Sequence, residues 1–140
     1  MIQPRKLAHI VLNVRDVQAA KAFYTRALGL VVAAESQKKD QAFLSFGKEH
    51  HDLGLFQRVT HPSRDARQPG LAHIAWQFDS AADLEAVLAR LKEAGIAPEE
   101  VRTGNLLERL YARDPDGNLV ELYSGAWDAG LEAMLEKVHG

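Results

Sequence analysis

Leu7-Ala8-His9-Ile10 and Leu71-Ala72-His73-Ile74 are the same four residues, set 71 − 7 = 64 positions apart. A repeat at this period marks a supersecondary unit used twice. After the first copy, Leu12 and Val14 continue a strand. Asp16 can then cap a helix whose apolar positions Val17, Ala20, Phe23, Tyr24 and Leu28 have helical spacing, and Gly29 stops it. After the second copy, Trp76 and Phe78 continue the strand. Ser80 and Asp83 have capping-box spacing, Leu84, Val87, Leu88 and Leu91 form the apolar stripe, and Gly95 closes the helix.

Three strand-like runs follow each helix. They are Leu30 to Glu35, Gln41 to Phe46 and Leu53 to Gln57 in the first half, and Val101 to Gly104, Arg109 to Arg113 and Leu119 to Tyr123 in the second. The expected fold is therefore α+β, two tandem βαβββ modules forming a curved mixed sheet around a metal-binding cleft. Module 1 is expected over about 5–58, a polar connector over 59–70, module 2 over about 71–124, and a carboxy-terminal helix over about 126–138. Asp114-Pro115-Asp116-Gly117 is a turn between the last two strands, because proline presets the first corner and glycine accepts positive φ.

Side chains alternate faces along a strand, so His9, Val11 and Asn13 share one face, as do His73, Ala75 and Gln77. In the last strand Glu121 alternates with Val120 and Leu122, which lets its carboxylate share the histidine face. His9, His73 and Glu121 are the expected metal ligands. Aligning the final strands puts Gly54 where the second module has Glu121, so a symmetric fourth ligand is missing. Two imidazoles and one carboxylate leave coordination positions open, the donor set of non-haem Fe(II) oxygenases, and no cysteine is present to offer a thiolate.

Composition narrows the partners. The 140 residues are 26% charged with a formal net charge of −2, so there is no basic field for nucleic acid or an anionic membrane, and no run reaches membrane-spanning length. The amino terminus lacks the apolar stretch of a signal peptide, which sets the expectation of a cytoplasmic protein. Trp127, Leu131, Met134, Leu135 and Val138 give the tail an apolar periodicity, and with it the expectation of a homodimer.

With these residues in view, the chain resembles the vicinal oxygen chelate superfamily, which includes glyoxalases, bleomycin-resistance proteins and extradiol catechol dioxygenases. Leu110 to Gly117 followed by Glu121 is similar to the extradiol signature of an aromatic residue, an Asp-Pro-x-Gly turn and a metal-binding glutamate. His51-Asp52-Leu53-Gly54-Leu55-Phe56 is similar to the segment that carries the extradiol active-site base, and His51 is the matching residue. The resemblance implies a divalent metal, Fe(II) first with Mn(II), Ni(II) or Zn(II) as alternatives, and a small catechol-like substrate in aromatic compound degradation. It also implies His51 as base and Tyr111 as hydrogen-bond donor to a substrate oxygen. If His51 and Gly54 are to serve one face, the chain must bend around Asp52.

One departure stands out: the extradiol pattern has a further histidine upstream of the tyrosine, at positions 102 to 104, where this chain has Arg102, Thr103 and Gly104. Two other activities use the same metal platform, and a third alternative is a binding protein that dispenses with the metal. A glyoxalase-like lyase or isomerase would need Glu or Gln in place of Gly54. A fosfomycin-type thiol transferase would use cations such as Arg102, Arg109 and Arg113. A metal-free binding protein of the bleomycin-resistance kind would have no need of the three ligands.

Overall fold

The computed structural model describes residues 2–59, 65 and 67–124. The carboxy-terminal helix expected over 126–138 lies outside the described residues, as does most of the connector from 60 to 66. Among the described residues no helix is long and apolar enough to cross a membrane.

The first unit runs β1 (Ile10–Val14), α1 (Val17–Ala22), a π-helical turn (Phe23–Ala27), β2 (Val31–Ser36), β3 (Gln41–Ser45) and β4 (Leu53–Gln57). The second runs β5 (His73–Phe78), α2 (Ala81–Glu93), β6 (Glu99–Thr103), β7 (Leu106–Arg113) and β8 (Leu119–Ser124). Each is the expected βαβββ order. The sheets are β1-β4-β3-β2 and β5-β8-β7-β6, each with its first and last strands parallel and the other pairs antiparallel. Parallel pairing of the first and last strands follows from the intervening helix, which carries the chain across the sheet before it returns by hairpins.

The helices start where their caps are. Asp16 accepts from the backbone N–H groups of Gln18 and Ala19 at 2.8 and 3.1 Å, and Ser80 accepts from that of Asp83 at 3.2 Å. The first helix departs from the regular α-helix expected as far as Leu28. After Ala22 it widens into the π-helical turn, and the N–H of Leu30 donates to Tyr24 O at 3.1 Å. Gly29 and Gly95 then leave their helices at φ of 84° and 77°.

In the first unit Leu12, Val14, Val17, Ala20, Leu44, Leu53 and Leu55 are buried between helix and sheet. In the second, Leu84, Val87, Leu88 and Leu91 of α2 close over Leu110, Val120 and Leu122. Full burial of such a side chain contributes roughly 1.5–3 kcal/mol. The alternate residues therefore belong to the other sheet face. His9, Val11 and Asn13 are exposed while Leu12 and Val14 are buried; His73, Ala75 and Gln77 are exposed while Ile74 is buried. One boundary differs from the sequence reading: Asp114–Gly117, the β7–β8 turn, packs into the first unit. Its Asp114 carboxylate accepts from the buried Tyr24 hydroxyl at 2.7 Å, and Asp116 accepts from the N–H of Arg15 at 2.9 Å. A turn motif discloses a bend but not what the bend docks against.

Candidate metal centre

In the second unit, β5 and β8 are neighbours in parallel register, with Ala75 opposite Glu121 and His73 opposite Leu119. The small side chain of Ala75 leaves Glu121 room to swing toward the imidazole one step away on the same face. Nε2 of His73 and Oε2 of Glu121 stand 3.2 Å apart. Two donors each about 2.1 Å from one ion, roughly at a right angle, would be about 3 Å apart, so this nitrogen and oxygen fit two positions of a first-row divalent ion. The other oxygen, Oε1, accepts from the Tyr111 hydroxyl at 3.3 Å and has Nε of Arg109 at 3.7 Å. β7 delivers both side chains because residues two apart share a strand face, and Tyr111 sits opposite Glu121 in the β7–β8 ladder.

The first unit carries His9, at the entry to β1, and its ring centroid lies 4.4 Å from that of His51. His51 itself precedes β4. The bend required at Asp52 is present and pinned on three sides: Asp52 N–H donates to Leu44 O at 2.8 Å, its carbonyl accepts from the N–H of Ile10 at 3.0 Å, and its carboxylate accepts from the N–H of Phe46 at 3.0 Å. This bend lets His51 share a face with His9 although it stands three positions before Gly54. Phe43 packs edge-on to the His51 ring at 5.1 Å, while Nδ1 of His51 and Nδ1 of His50 share a hydrogen bond at 2.8 Å. That bond leaves Nε2 of His51 for other work. His50 is exposed and His51 is half-buried. Partial burial holds the His51 imidazole below its ordinary value of 6.5; the His9 and His50 rings push the same way and Asp52 opposes them.

Gly54 pairs with Val11 as Glu121 pairs with Ala75, so the two positions are equivalent in register, and Gly54 offers no side chain where the second unit has a carboxylate. A Cβ on Gly54 would meet Val11 Cγ2 at 3.1 Å and Phe43 Cδ1 at 3.7 Å. Among the described residues no three of His, Asp and Glu gather into a ready-made group, His9 being carried by one unit and the His73–Glu121 pair by the other.

Two features were not read from the sequence. Arg109 stands beside Glu121; strand alternation puts it on the face of Tyr111, but only the β7–β8 register brings it to the carboxylate. Arg102, at the position of the absent histidine, is turned elsewhere, with its guanidinium donating to Glu85 of α2 at 2.6 Å and to Glu100 at 2.8 Å.

Residues 6–122 match the sequence model of the Glyoxalase/Bleomycin resistance protein/Dioxygenase superfamily. The chain is 37% identical over 141 aligned positions to biphenyl-2,3-diol 1,2-dioxygenase 3 of Rhodococcus globerulus, covering 99% of this chain and 72% of the relative. It is 35% identical over 120 positions to biphenyl-2,3-diol 1,2-dioxygenase 2 of the same organism, covering 84% of this chain and 61% of that one. It therefore spans less than two thirds of the second relative's length. Among solved structures, the lactoylglutathione lyase of Agrobacterium tumefaciens matches with a TM-score of 0.65 and 28% identity over 89% of this chain and 98% of the lyase.

Proposed function

Because the chain belongs to the Glyoxalase/Bleomycin resistance protein/Dioxygenase superfamily, we propose that it is a metal-dependent extradiol dioxygenase that cleaves the ring of a small catechol. The observation that carries this reading is the second unit's arrangement: His73 Nε2 and Glu121 Oε2 at 3.2 Å, with the Tyr111 hydroxyl on the carboxylate's other oxygen. Donors of ligand type and an aromatic hydroxyl thus share one patch of sheet. The dioxygenase names of the two curated relatives point the same way.

In this reading His9, His73 and Glu121 hold the ion, with Fe(II) as the expected metal. When bound, it would supply a Lewis-acidic centre that takes the two vicinal oxygens of a catechol and activates dioxygen. The chain's own residues do the rest. Nε2 of His51 takes the proton of a catechol hydroxyl, since Nδ1 is engaged by His50. Phe43, edge-on to the His51 ring, restricts its rotation. Tyr111 donates to a substrate oxygen after giving up Glu121 Oε1, to which its bond at 3.3 Å is long.

Gly54 weighs against the isomerase alternative, because that position offers no side chain to shuttle a carbon-bound proton. Arg102 weighs against the thiol-transferase alternative, because its charge is committed to Glu85 and Glu100. The deciding experiment adds a catechol to Fe(II)-loaded protein without air, follows ligand-to-metal absorption, then admits oxygen. Oxygen uptake with a yellow ring-opened product is expected. No uptake with any catechol, alongside isomerisation or thiol addition on Mn(II) or Ni(II), would refute the assignment.

A further inference from the structure

The reading of His51 as base leaves its neighbour without a role. His50 and His51 follow one another in the chain, yet their Nδ1 atoms meet at 2.8 Å with the ring planes 82° apart. The turn that carries them is anchored on either side. The Ser45 hydroxyl donates to Glu49 O at 2.7 Å, Lys6 pairs with the Glu49 carboxylate, and Asp52 N–H donates to Leu44 O at 2.8 Å. His51 is half-buried beside Phe43 and His9, whereas His50 is exposed. The turn thus sets a water-facing imidazole against a sheltered one.

Two ring nitrogens this close need one hydrogen between them: two bare nitrogens would oppose their lone pairs, and two N–H groups would clash. In the neutral pair, one ring therefore carries its hydrogen on Nδ1 and the other on Nε2, so the two tautomers are locked in opposite senses. If His51 donates, its Nε2 is bare, and the Nε2–H of His50 meets water. If His50 donates, His51 carries its hydrogen on Nε2 and can take no proton there. Only the first sense makes His51 a base. It also gains during turnover, because the bond from Nδ1–H of His51 becomes charge-assisted once Nε2 takes a proton. Resting on the dioxygenase reading, with His51 as base, we propose that His50 is a positioning residue: it accepts from Nδ1–H of His51 and so holds that ring in the tautomer whose Nε2 is bare.

The tautomer can be read directly from nitrogen–proton correlations of the imidazole rings in the isotope-labelled full chain carrying diamagnetic Zn(II). A bare ring nitrogen resonates far downfield of one that bears hydrogen, and the spectrum is taken at about pH 8.5, above the ordinary imidazole range. In the wild type, His51 is expected to show Nδ1–H with a bare Nε2, and His50 the reverse. His50→Leu removes the acceptor and is expected to move His51 largely to Nε2–H, the form an unconstrained imidazole prefers in water. Turnover of a catechol by the Fe(II)-loaded variant should fall roughly 3- to 10-fold with iron content unchanged, as for loss of one orienting hydrogen bond. His50→Asn, whose Oδ1 can stand where Nδ1 stood, is expected to restore both tautomer and turnover. A wild-type spectrum with His51 protonated on Nε2, or with the two tautomers equally populated, would overturn the proposal. So would a Leu variant in which either the tautomer or the turnover stays at its wild-type value. The wild-type spectrum requires no turnover, so if no catechol is cleaved, the dioxygenase reading fails while the spectrum still decides which ring donates.

Discussion

Gly54 and Glu121 occupy the same register position in their two sheets, the first facing Val11 and the second facing Ala75. The repeats have exchanged bulk across this strand pair. Where the last strand carries a long acidic side chain, its parallel neighbour is small; where it carries none, the neighbour is β-branched and its Cγ2 would lie 3.1 Å from a Cβ on the glycine. The asymmetry between Gly54 and Glu121 is thus built into packing, and a Gly54→Glu change would need Val11 to give by a few tenths of an ångström before it could offer a carboxylate.

That contact gives a coupling measurable by urea unfolding. Gly54→Ala is expected to cost about 1 kcal/mol, at the low end for overpacking because Val11 is 41% exposed and can yield. In a Val11→Ala background the same change should cost little or nothing, and an undiminished cost there would show that the strain comes from elsewhere.

Ligand and base are expected to separate by what their removal destroys. His73→Ala and Glu121→Ala should emerge from purification with little metal by elemental analysis. His51→Ala should retain it and lose roughly 10²- to 10⁴-fold in turnover, as expected for loss of a positioned base. Full turnover in His51→Ala would move the base to another residue.

Tyr24 should make the protein sensitive to alkali. Burial raises its pKa well above the ordinary 10.0, and the Asp114 charge and hydrogen bond push further in that direction. A group whose folded value lies above its unfolded one contributes stability that is fully present below the unfolded value and is lost as pH rises past it. Melting temperature should therefore fall from about pH 10 upward, and Tyr24→Phe should flatten that alkaline limb. The same variant should lose about 1–3 kcal/mol at neutral pH, because the buried Asp114 carboxylate loses a donor.

Asp16→Ala tests the start of α1. The carboxylate satisfies two backbone N–H groups at the helix start, so its removal should cost about 0.5–2 kcal/mol in chemical denaturation. Asp16→Asn should recover most of that loss.

The homodimer expected from the tail can be tested by light scattering. The intact chain is expected to have twice the mass of a monomer, and a chain ending at Gly125 to have a smaller one. Equal monomeric masses for both would dispose of the idea.

What the sequence determined by itself is local or repeated. The Leu-Ala-His-Ile duplication, the alternation around it, the caps at Asp16 and Ser80 and the Asp-Pro-Asp-Gly turn each depend on a few neighbouring residues, and together they specify two βαβββ units and the strand face of each candidate ligand. Tertiary structure decided what depends on residues far apart in the chain: the bend at Asp52 held by Ile10, Leu44 and Phe46, the Asp114 carboxylate under Tyr24, Arg102 drawn to Glu85 and Arg109 beside Glu121. The physical reason is range. Alternation and capping are set by backbone geometry over a few residues, whereas an ion pair or a buried hydrogen bond between distant positions exists only once a sheet register or a helix packing brings its partners within about 3 to 4 Å.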